Sequence, residues 1–321
     1  MTKKCCIAIL GALCVVLLAC DEKAIKPTSA PPPLAEDNPL IIHTTFYPTS
    51  YFATRIAGRR GTVVCPVPSD ADPIFWQPTR EQIAAYQDAD VIIINGAGFE
   101  KWISTASLPE TRIVDSSSSL PEPFIRFETV THNHGAGGAH SHAGVDGHTW
   151  MDPVNAIAQA TEISSALSRL RPRDSKDFAA GYAGLLKDLQ LLDRQFAELS
   201  APAAKALVMA SHPAYNYPSR RYSLGVVNVA MDPERDANPE ELAAVEAAVS
   251  RRPEVKTRVM LWESRPTPGT AAALQERFGI ASIVCSPCEA LDPADAAAGE
   301  NYLSVMQNNI AVLKGALAPA R

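Results

Sequence analysis

The sequence predicts an α/β fold in which two lobes of parallel-sheet α/β units are joined by one long backbone helix, with the binding site in the cleft between the lobes. Short β-branched runs alternate with longer helical patterns at both ends of the chain, which is typical of parallel sheets. Between them, residues 173–199 carry an apolar stripe at steps of three and four residues. At 1.5 Å per residue this helix would be about 40 Å long. Such a stiff connector predicts only a small opening between the lobes.

The pattern places four strands and their helices in each lobe. The N-terminal lobe, residues 39–172, has predicted strands at 40–46, 61–66, 90–95 and 111–115 and helices at 49–57 and 79–87. The connecting helix is assigned to residues 173–200. The C-terminal lobe, residues 201–321, has predicted strands at 206–211, 225–230, 258–263 and 281–286 and helices near 215–222, 239–250, 269–278 and 302–317.

The N-terminal residues predict export and attachment to a membrane. Lys3 and Lys4 precede an apolar run of 15 residues, too short for the roughly 20 that cross a bilayer, so residues 1–19 are read as a signal peptide. The run ends in "LLAC", which resembles a lipoprotein lipobox with Cys20 as the lipidated residue; an ordinary cleaved signal is the alternative. Residues 20–38 are proline-rich and predict an extended tether. We therefore expect a lipid-anchored protein in the periplasm or otherwise outside the cytoplasm.

The composition excludes two classes of protein. The formal net charge is −6 with no basic patch, which excludes a nucleic-acid partner. Once the signal is removed and Cys20 is lipidated, the remaining thiols are those of Cys65, Cys285 and Cys288. Three thiols do not frame a small disulfide scaffold, so the fold must depend on its apolar core.

Polar segments follow several of the predicted strands, where ligands bind in parallel α/β sheets. They read "SDADPIFWQPT" (69–79), "GHTWMDPVNA" (147–156), "SHPAYNYPSRRY" (211–222), "WES" (262–264) and "CSPCE" (285–289). These segments are therefore the first places to look for the residues of a binding site.

Three motifs carry a family resemblance: "NGAGFEKWI" (95–103), "HTWMDPVNA" (148–156) and "SHPAYNY" (211–217). With them, the chain from residue 40 to 317 resembles the zinc- or manganese-binding solute-binding lipoproteins of metal ABC transporters. The resemblance implies a monomer, anchored to the membrane by lipid, that captures a divalent transition metal without catalysis. It further implies zinc rather than manganese as the ion, and an ABC permease as the partner.

The resemblance carries over two ligands and loses two. His148 and His212 match the family's motifs, whereas Ile74 stands where its first histidine is expected and Ser286 where its last aspartate is expected. Trp76 replaces a tyrosine of the same motif. Two imidazoles alone do not make a tight site, because zinc takes four donors or three with one open position.

Several residues are candidates for the two missing metal ligands. Carboxylates of Asp72 and Glu263 and imidazoles of His140 and His142 are preferred; the thiolates of Cys285 and Cys288 are the soft alternative, favouring zinc over manganese. Competing structural roles stay open. Asp72 would open a turn, Glu263 would cap a helix or pair with Arg265, and the cysteines would form a redox pair or a bridge, either Cys285 to Cys288 or Cys65 to Cys285. The competing role for His148 and His212 is that of polar residues at a domain interface, and His43, in an apolar strand, is expected to be a satisfied core residue.

The segment "HNHGAGGAHSHAGVDGH" (132–148) holds five of the seven histidines, and residues 131–147 contain five glycines. We expect a flexible loop, which in the family gathers metal before the second ligand motif. The gathering residues would be His132, His134, His140 and His142. A plain linker is the alternative.

Two other functions use the same fold. A zinc hydrolase would bind its metal through His148, His212 and Glu263 with water as the fourth ligand, but the sequence has no HExxH helix. A binding protein for a chelated or non-metal ligand would exploit the apolar Ile74 and Trp76. For the metal-binding function, capture should weaken below about pH 6.5, since only neutral imidazoles bind metal.

Overall fold

The computed structural model describes residues 38–133 and 139–318, and within 127–143 it describes the backbone only. The predicted signal peptide, Cys20, nearly all of the tether and His134 lie outside the described residues. Pro39–Arg321 forms one compact unit. No helix in the described part of the chain has both the length and the apolar character needed to cross a membrane. The boundaries of the two lobes stay a prediction.

The first sheet is parallel and has the strand order β2-β1-β3-β4. Its strands and helices are β1 (Leu40–Thr44), α1 (Tyr47–Ala57), β2 (Gly61–Val64), α2 (Arg80–Asp88), β3 (Val91–Ile94) and β4 (Ile113–Asp115). The helix α2 begins with a capping box in which the Thr79 hydroxyl accepts from the Gln82 N–H and the Gln82 side chain accepts from the Thr79 N–H. Each predicted strand is present but shorter: β1 and β2 end two residues early, β3 loses one residue at each end, and β4 begins two residues late.

The chain then forms a hairpin and two long helices: β5 (Arg126–Asn133), β6 (Ala139–Val145), α3 (Pro153–Leu170) and α4 (Ser175–Ala197). The 23-residue α4 is about 35 Å long and corresponds to the predicted connecting helix. Helix α3 was not predicted from the sequence; it begins where Asp152 accepts the Val154 N–H and Pro153 occupies the first turn. Its buried face includes the polar residues Asn155 and Gln159 and three alanines, so large apolar side chains do not mark it in the sequence.

The second sheet is also parallel, with the order β10-β9-β7-β8. Its elements are α5 (Ser200–Ala203), β7 (Ala206–Ala210), α6 (Asn216–Tyr222), β8 (Val227–Asn228), α7 (Pro239–Ser250), β9 (Thr257–Trp262), α8 (Pro268–Phe278), β10 (Ile280–Val284), α9 (Pro293–Ala297) and α10 (Tyr302–Ala316). Two parallel sheets and one long helix confirm the predicted fold class.

One apolar core runs from the first sheet to the second. It includes Ile42 and Ile93 of the first sheet, Leu189 of α4, and Val208 and Leu261 of the second sheet. Because α3 and α4 pack against each other and α1 packs on both, the helices fill the space between the sheets. The segments that follow the strands of the two sheets are therefore held at a fixed separation.

The histidine-rich segment differs from the expected flexible loop. Its described backbone forms the antiparallel pair β5 and β6, in which His132 lies opposite His140 and Val130 opposite His142. Composition alone did not predict this, because a ladder of backbone hydrogen bonds needs no apolar side chains.

Candidate metal site

Three side chains from different parts of the chain converge on one point. His148 Nε2 lies 3.2 Å from His212 Nε2 and 3.0 Å from Glu289 Oε1. One ligand atom from each of the three residues lies within 4.8 Å of the others. The two histidines are only 4% and 3% exposed. His148 follows β6, His212 follows β7, and Glu289 follows β10, so the segments after the strands build the site.

Asp146 fixes the orientation of His148. Its Oδ1 lies 2.8 Å from His148 Nδ1 and accepts the His148 backbone N–H at 3.0 Å. The carboxylate is held in turn by Asn216, which donates to Oδ2 at 2.9 Å, and the Tyr217 hydroxyl donates to the Asp146 carbonyl at 2.7 Å. A carboxylate behind the outer ring nitrogen is the usual support of a metal-binding histidine. The arrangement leaves Nε2 facing His212 and Glu289.

The same contacts make His148 strongly basic. Burial disfavours the imidazolium, but the hydrogen bonds and charges of Asp146 and Glu289 outweigh burial and raise the pKa of His148 to about 10. In the metal-free protein, the protonated ring can therefore donate to both carboxylates. A metal that binds Nε2 must displace the proton held there.

The "NGAGFE" turn supports the segment before His148. Buried Glu100 accepts the Thr45 hydroxyl and the backbone N–H groups of Asn95 at 2.6 Å and Gly96 at 3.3 Å. The Asn95 side chain then donates to the Gly147 carbonyl at 2.9 Å. Gly96 has a φ of +79°, and an added Cβ would lie 1.8 Å from an oxygen of Asp115. The first of the three family motifs is thus a support for the site and contributes no ligand.

His212 and Glu263 lie together on the other side of the site. His212 Nδ1 is 3.9 Å from Glu263 Oε2, which is too far for a direct hydrogen bond but close enough for electrostatic attraction. Glu263 follows β9 and therefore stands behind His212, as Asp146 stands behind His148. The prediction of Glu263 as a direct ligand is untested, and its position equally suits an orienting role.

Glu289 is the site residue that sequence reasoning missed. The turn that presents it begins at Cys285, has Cys288 at a φ of +60°, and is held by the Trp150 indole, which donates to the Pro287 carbonyl at 2.7 Å. Burial, Asp72 and Glu263 raise the pKa of the Glu289 carboxyl, while His148 lowers it. The signal was a carboxylate in the segment "CSPCE", three residues after the expected position at Ser286.

The residues at and near the two lost ligand positions have other roles. Ile74 is buried, and it lines the same opening as His148 without offering a donor atom. Asp72 accepts the Ile74 N–H at 2.8 Å through Oδ1, and its carbonyl accepts the Trp76 N–H at 2.9 Å, so it does open a turn. Ser286 accepts the Cys288 N–H at 3.1 Å. Asp72 contributes charge beside Glu289 but lies outside the converging group of described residues.

The cysteines are free thiols. Neither the Cys285–Cys288 bridge nor the Cys65–Cys285 bridge forms. Burial raises the pKa of Cys285 to about 12, and burial with the charge of Glu289 raises that of Cys288 further. Both side chains belong to the apolar core between the sheets, which makes them poor thiolate ligands.

His43 is a buried core residue, in an edge-on contact with Tyr86 at 5.0 Å between ring centroids. Burial lowers its pKa. Its Nδ1 has no hydrogen-bond partner within the part of the chain that the structure describes. The expectation that it is a satisfied polar group is in this respect wrong.

Comparison with known proteins gives the family. The family described as ZnuA, zinc-uptake complex component A periplasmic, matches residues 42–316. The chain belongs to this family. The resemblance drawn from the three motifs is thereby confirmed.

Curated relatives and solved structures support the assignment to the ZnuA family. The zinc-binding lipoprotein AdcA of Streptococcus pneumoniae serotype 4 is 28% identical over 313 residues, covering 95% of this chain and 60% of AdcA. The high-affinity zinc uptake system protein ZnuA of Bacillus subtilis strain 168 is 25% identical over 314 residues, covering 96% of each chain. The crystal structure of the Zn(II)-bound ZnuA-like domain of S. pneumoniae AdcA has a TM-score of 0.72 at 27% identity, covering 87% of this chain and 99% of that domain. The chain thus spans only 60% of the length of AdcA.

Proposed function

We propose that this ZnuA-family protein captures zinc between its two sheets and delivers it to an ABC permease outside the cytoplasm. The observation that carries the proposal is the convergence of His148, His212 and Glu289. Two donors bound about 2.1 Å from a tetrahedral zinc lie about 3.4 Å apart. The separations of 3.2 Å and 3.0 Å from His148 to the other two donors are within a small side-chain adjustment of that value.

The donor types favour zinc over manganese. Two imidazole nitrogens and one carboxylate oxygen suit zinc, whereas manganese prefers an oxygen-rich octahedral shell. The relatives AdcA, a zinc-binding lipoprotein, and ZnuA, a high-affinity zinc uptake protein, support the same ion. Ile74 removes the histidine expected in the family, so we assign the third ligand to Glu289 and leave a fourth position open for water or for a donor such as Asp72.

The surrounding assignments complete the proposal. The lipid anchor at Cys20 and the tether would hold the binding unit close to its permease, and the name of AdcA as a lipoprotein supports that anchor. The histidines at 132, 134, 140 and 142 would gather zinc near the site, and the chain would act as a monomer. The family is an uptake component and not an enzyme family, and we expect no turnover. No observation in the described residues favours the hydrolase or the chelate-binding alternative.

A zinc titration against a competing chelator tests the proposal. Glu289→Gln keeps the shape of the side chain but weakens its donor, so we expect zinc affinity to fall by at least the roughly 10- to 100-fold typical of second-shell changes. Glu198→Gln is the matched control, since Glu198 pairs with Lys314 at the surface. Equal zinc affinity for both variants and the unmodified protein would overturn the assignment of Glu289.

A further inference from the structure

The buried donors are reached through two different openings. His148 lines the first opening, a cavity of about 10 Å³, and Glu289 lines the second, a cavity of about 150 Å³. Glu289 is the most accessible of the three proposed ligands, with 19% of its side chain exposed against 5% for His148 and 3% for His212. These two openings are therefore the candidate routes for an ion that binds here.

The first opening is unsuited to a hydrated dication. Its wall contains Ile74, Phe99, Val145 and Pro213, which offer no side-chain donor. The exposed Lys101 stands at the same wall, and its Nζ donates to the Gly98 carbonyl at 2.7 Å. This bond holds a positive charge beside the opening, where it repels zinc.

The second opening is also lined by apolar residues, Phe46, Val67, Pro68, Ala290 and Leu291, but it has a carboxylate where the first has an ammonium group. Ser69, Cys65 and Tyr47 line it together with Glu289, and none of its described lining residues is basic. Asp72 belongs to the same connecting segment as Ser69 and acts electrostatically on Glu289. Negative charge at the inner end of a cleft raises the local concentration of cations and speeds their association.

We propose that zinc enters and leaves through the second opening, so that Glu289 is the first of the three ligands to meet the ion. This inference rests on the proposed zinc site. It assigns the loop 65–72 as one wall of the route, and it assigns Lys101, Ile74 and Phe99 to a closed wall.

Two tryptophan substitutions, one at each opening, separate the routes. Ser69→Trp fills the second opening and Val145→Trp fills the first, and neither residue is a proposed ligand. Stopped-flow mixing with zinc, followed by zinc removal with excess chelator, gives both rates on the full-length protein. We expect Ser69→Trp to slow association and dissociation together by about tenfold or more, with Kd changed less than about threefold, and Val145→Trp to leave both rates within about twofold.

If a tryptophan variant fails to fold, two substitutions that change charge test the same route. Ser69→Lys should slow association most at low salt, whereas Lys101→Glu should leave the rate unchanged. Slower exchange in Val145→Trp, or faster association in Lys101→Glu, would overturn the proposed route. Absence of zinc binding by the unmodified protein would instead refute the proposed function, so the two failures are distinguishable.

Discussion

At the scale of single residues, His148 links zinc binding to protons. Its ring lies between Asp146 and Glu289, and these carboxylates raise its pKa to about 10 despite burial. The sequence analysis placed the loss of affinity below about pH 6.5, the ordinary histidine range. The two carboxylates move the competition between proton and zinc to a more alkaline range, which the sequence could not reveal because Glu289 was not identified as a neighbour.

The first prediction concerns pH. Because the folded pKa of His148 lies above its unfolded value of about 6.5, the stability it gives the metal-free protein is complete below pH 6.5 and is lost as pH rises through about 10. Over the same interval zinc affinity should increase, since fewer protons compete for Nε2. Thermal melts of metal-free protein and zinc titrations, each compared with His148→Ala, measure the two trends. Zinc affinity that stays constant between pH 6.5 and 9 would contradict this prediction.

The second prediction concerns the support of His148. Asp146→Asn keeps the size of the side chain and removes the charge behind Nδ1, so zinc affinity should fall by about 10- to 100-fold. Asp188→Asn, which alters a half-exposed ion pair with Arg55, should leave affinity unchanged. A chelator-competition assay measures both variants, and an unchanged affinity for Asp146→Asn would show that the orientation of His148 does not depend on this carboxylate.

The third prediction concerns the thiols. Because burial raises the pKa of Cys285 to about 12 and that of Cys288 further, both remain protonated at pH 8 and should not react with iodoacetamide in the folded protein. Mass spectrometry of tryptic peptides should find both alkylated only after unfolding. Rapid modification of the native protein would reopen the thiolate alternative.

The ligands differ in how readily the sequence predicts them. His148 and His212 lie in motifs with a fixed distance from a strand or helix, so their convergence follows from the fold. Glu289 lies in an irregular turn that contains the positive φ of Cys288, and the turn shifts the carboxylate away from the expected position at Ser286. A sequence pattern does not fix the path of such a turn.

At the scale of elements, the long helix α4 was predicted from its apolar stripe, but its contact with α1 was not. The two helices approach each other closely at Gly181: an added Cβ would lie 2.5 Å from the Ile56 carbonyl oxygen and 2.6 Å from that of Arg55. Gly184, one turn later, has its nearest atom at 3.8 Å, the end of the Arg55 side chain. The sequence gives no reason to distinguish the two glycines, and only their packing in the folded protein does.

The fourth prediction uses this pair. Gly181→Ala should lower the free energy of unfolding by about 1–3 kcal/mol, because the methyl group would force α1 and α4 apart. Gly184→Ala should raise it by about 1 kcal/mol, because alanine favours the helix and meets no obstacle. Urea unfolding monitored by circular dichroism measures both. The packing account fails if Gly181→Ala is as stable as Gly184→Ala.

At the scale of the whole molecule, the strands and most of the long helices were accessible from periodicity, because each β-branched run and apolar stripe encodes a local element. The continuous core from Ile42 through Leu189 to Leu261 could not be predicted from periodicity, since it depends on contacts between elements distant in sequence. This core sets the distance between the segments after the strands. The convergence of His148, His212 and Glu289 is therefore a property of the packed molecule and not of any one motif.

The most direct test of the account is X-ray absorption spectroscopy at the zinc edge. The sample is the one-to-one zinc complex of a variant in which His132, His134, His140 and His142 are replaced by asparagine. We predict two imidazole rings at a Zn–N distance of about 2.0–2.1 Å, the remaining ligands being oxygen, and no sulfur at about 2.3 Å. A sulfur shell, or the loss of stoichiometric binding in this variant, would contradict a site built from His148, His212 and Glu289.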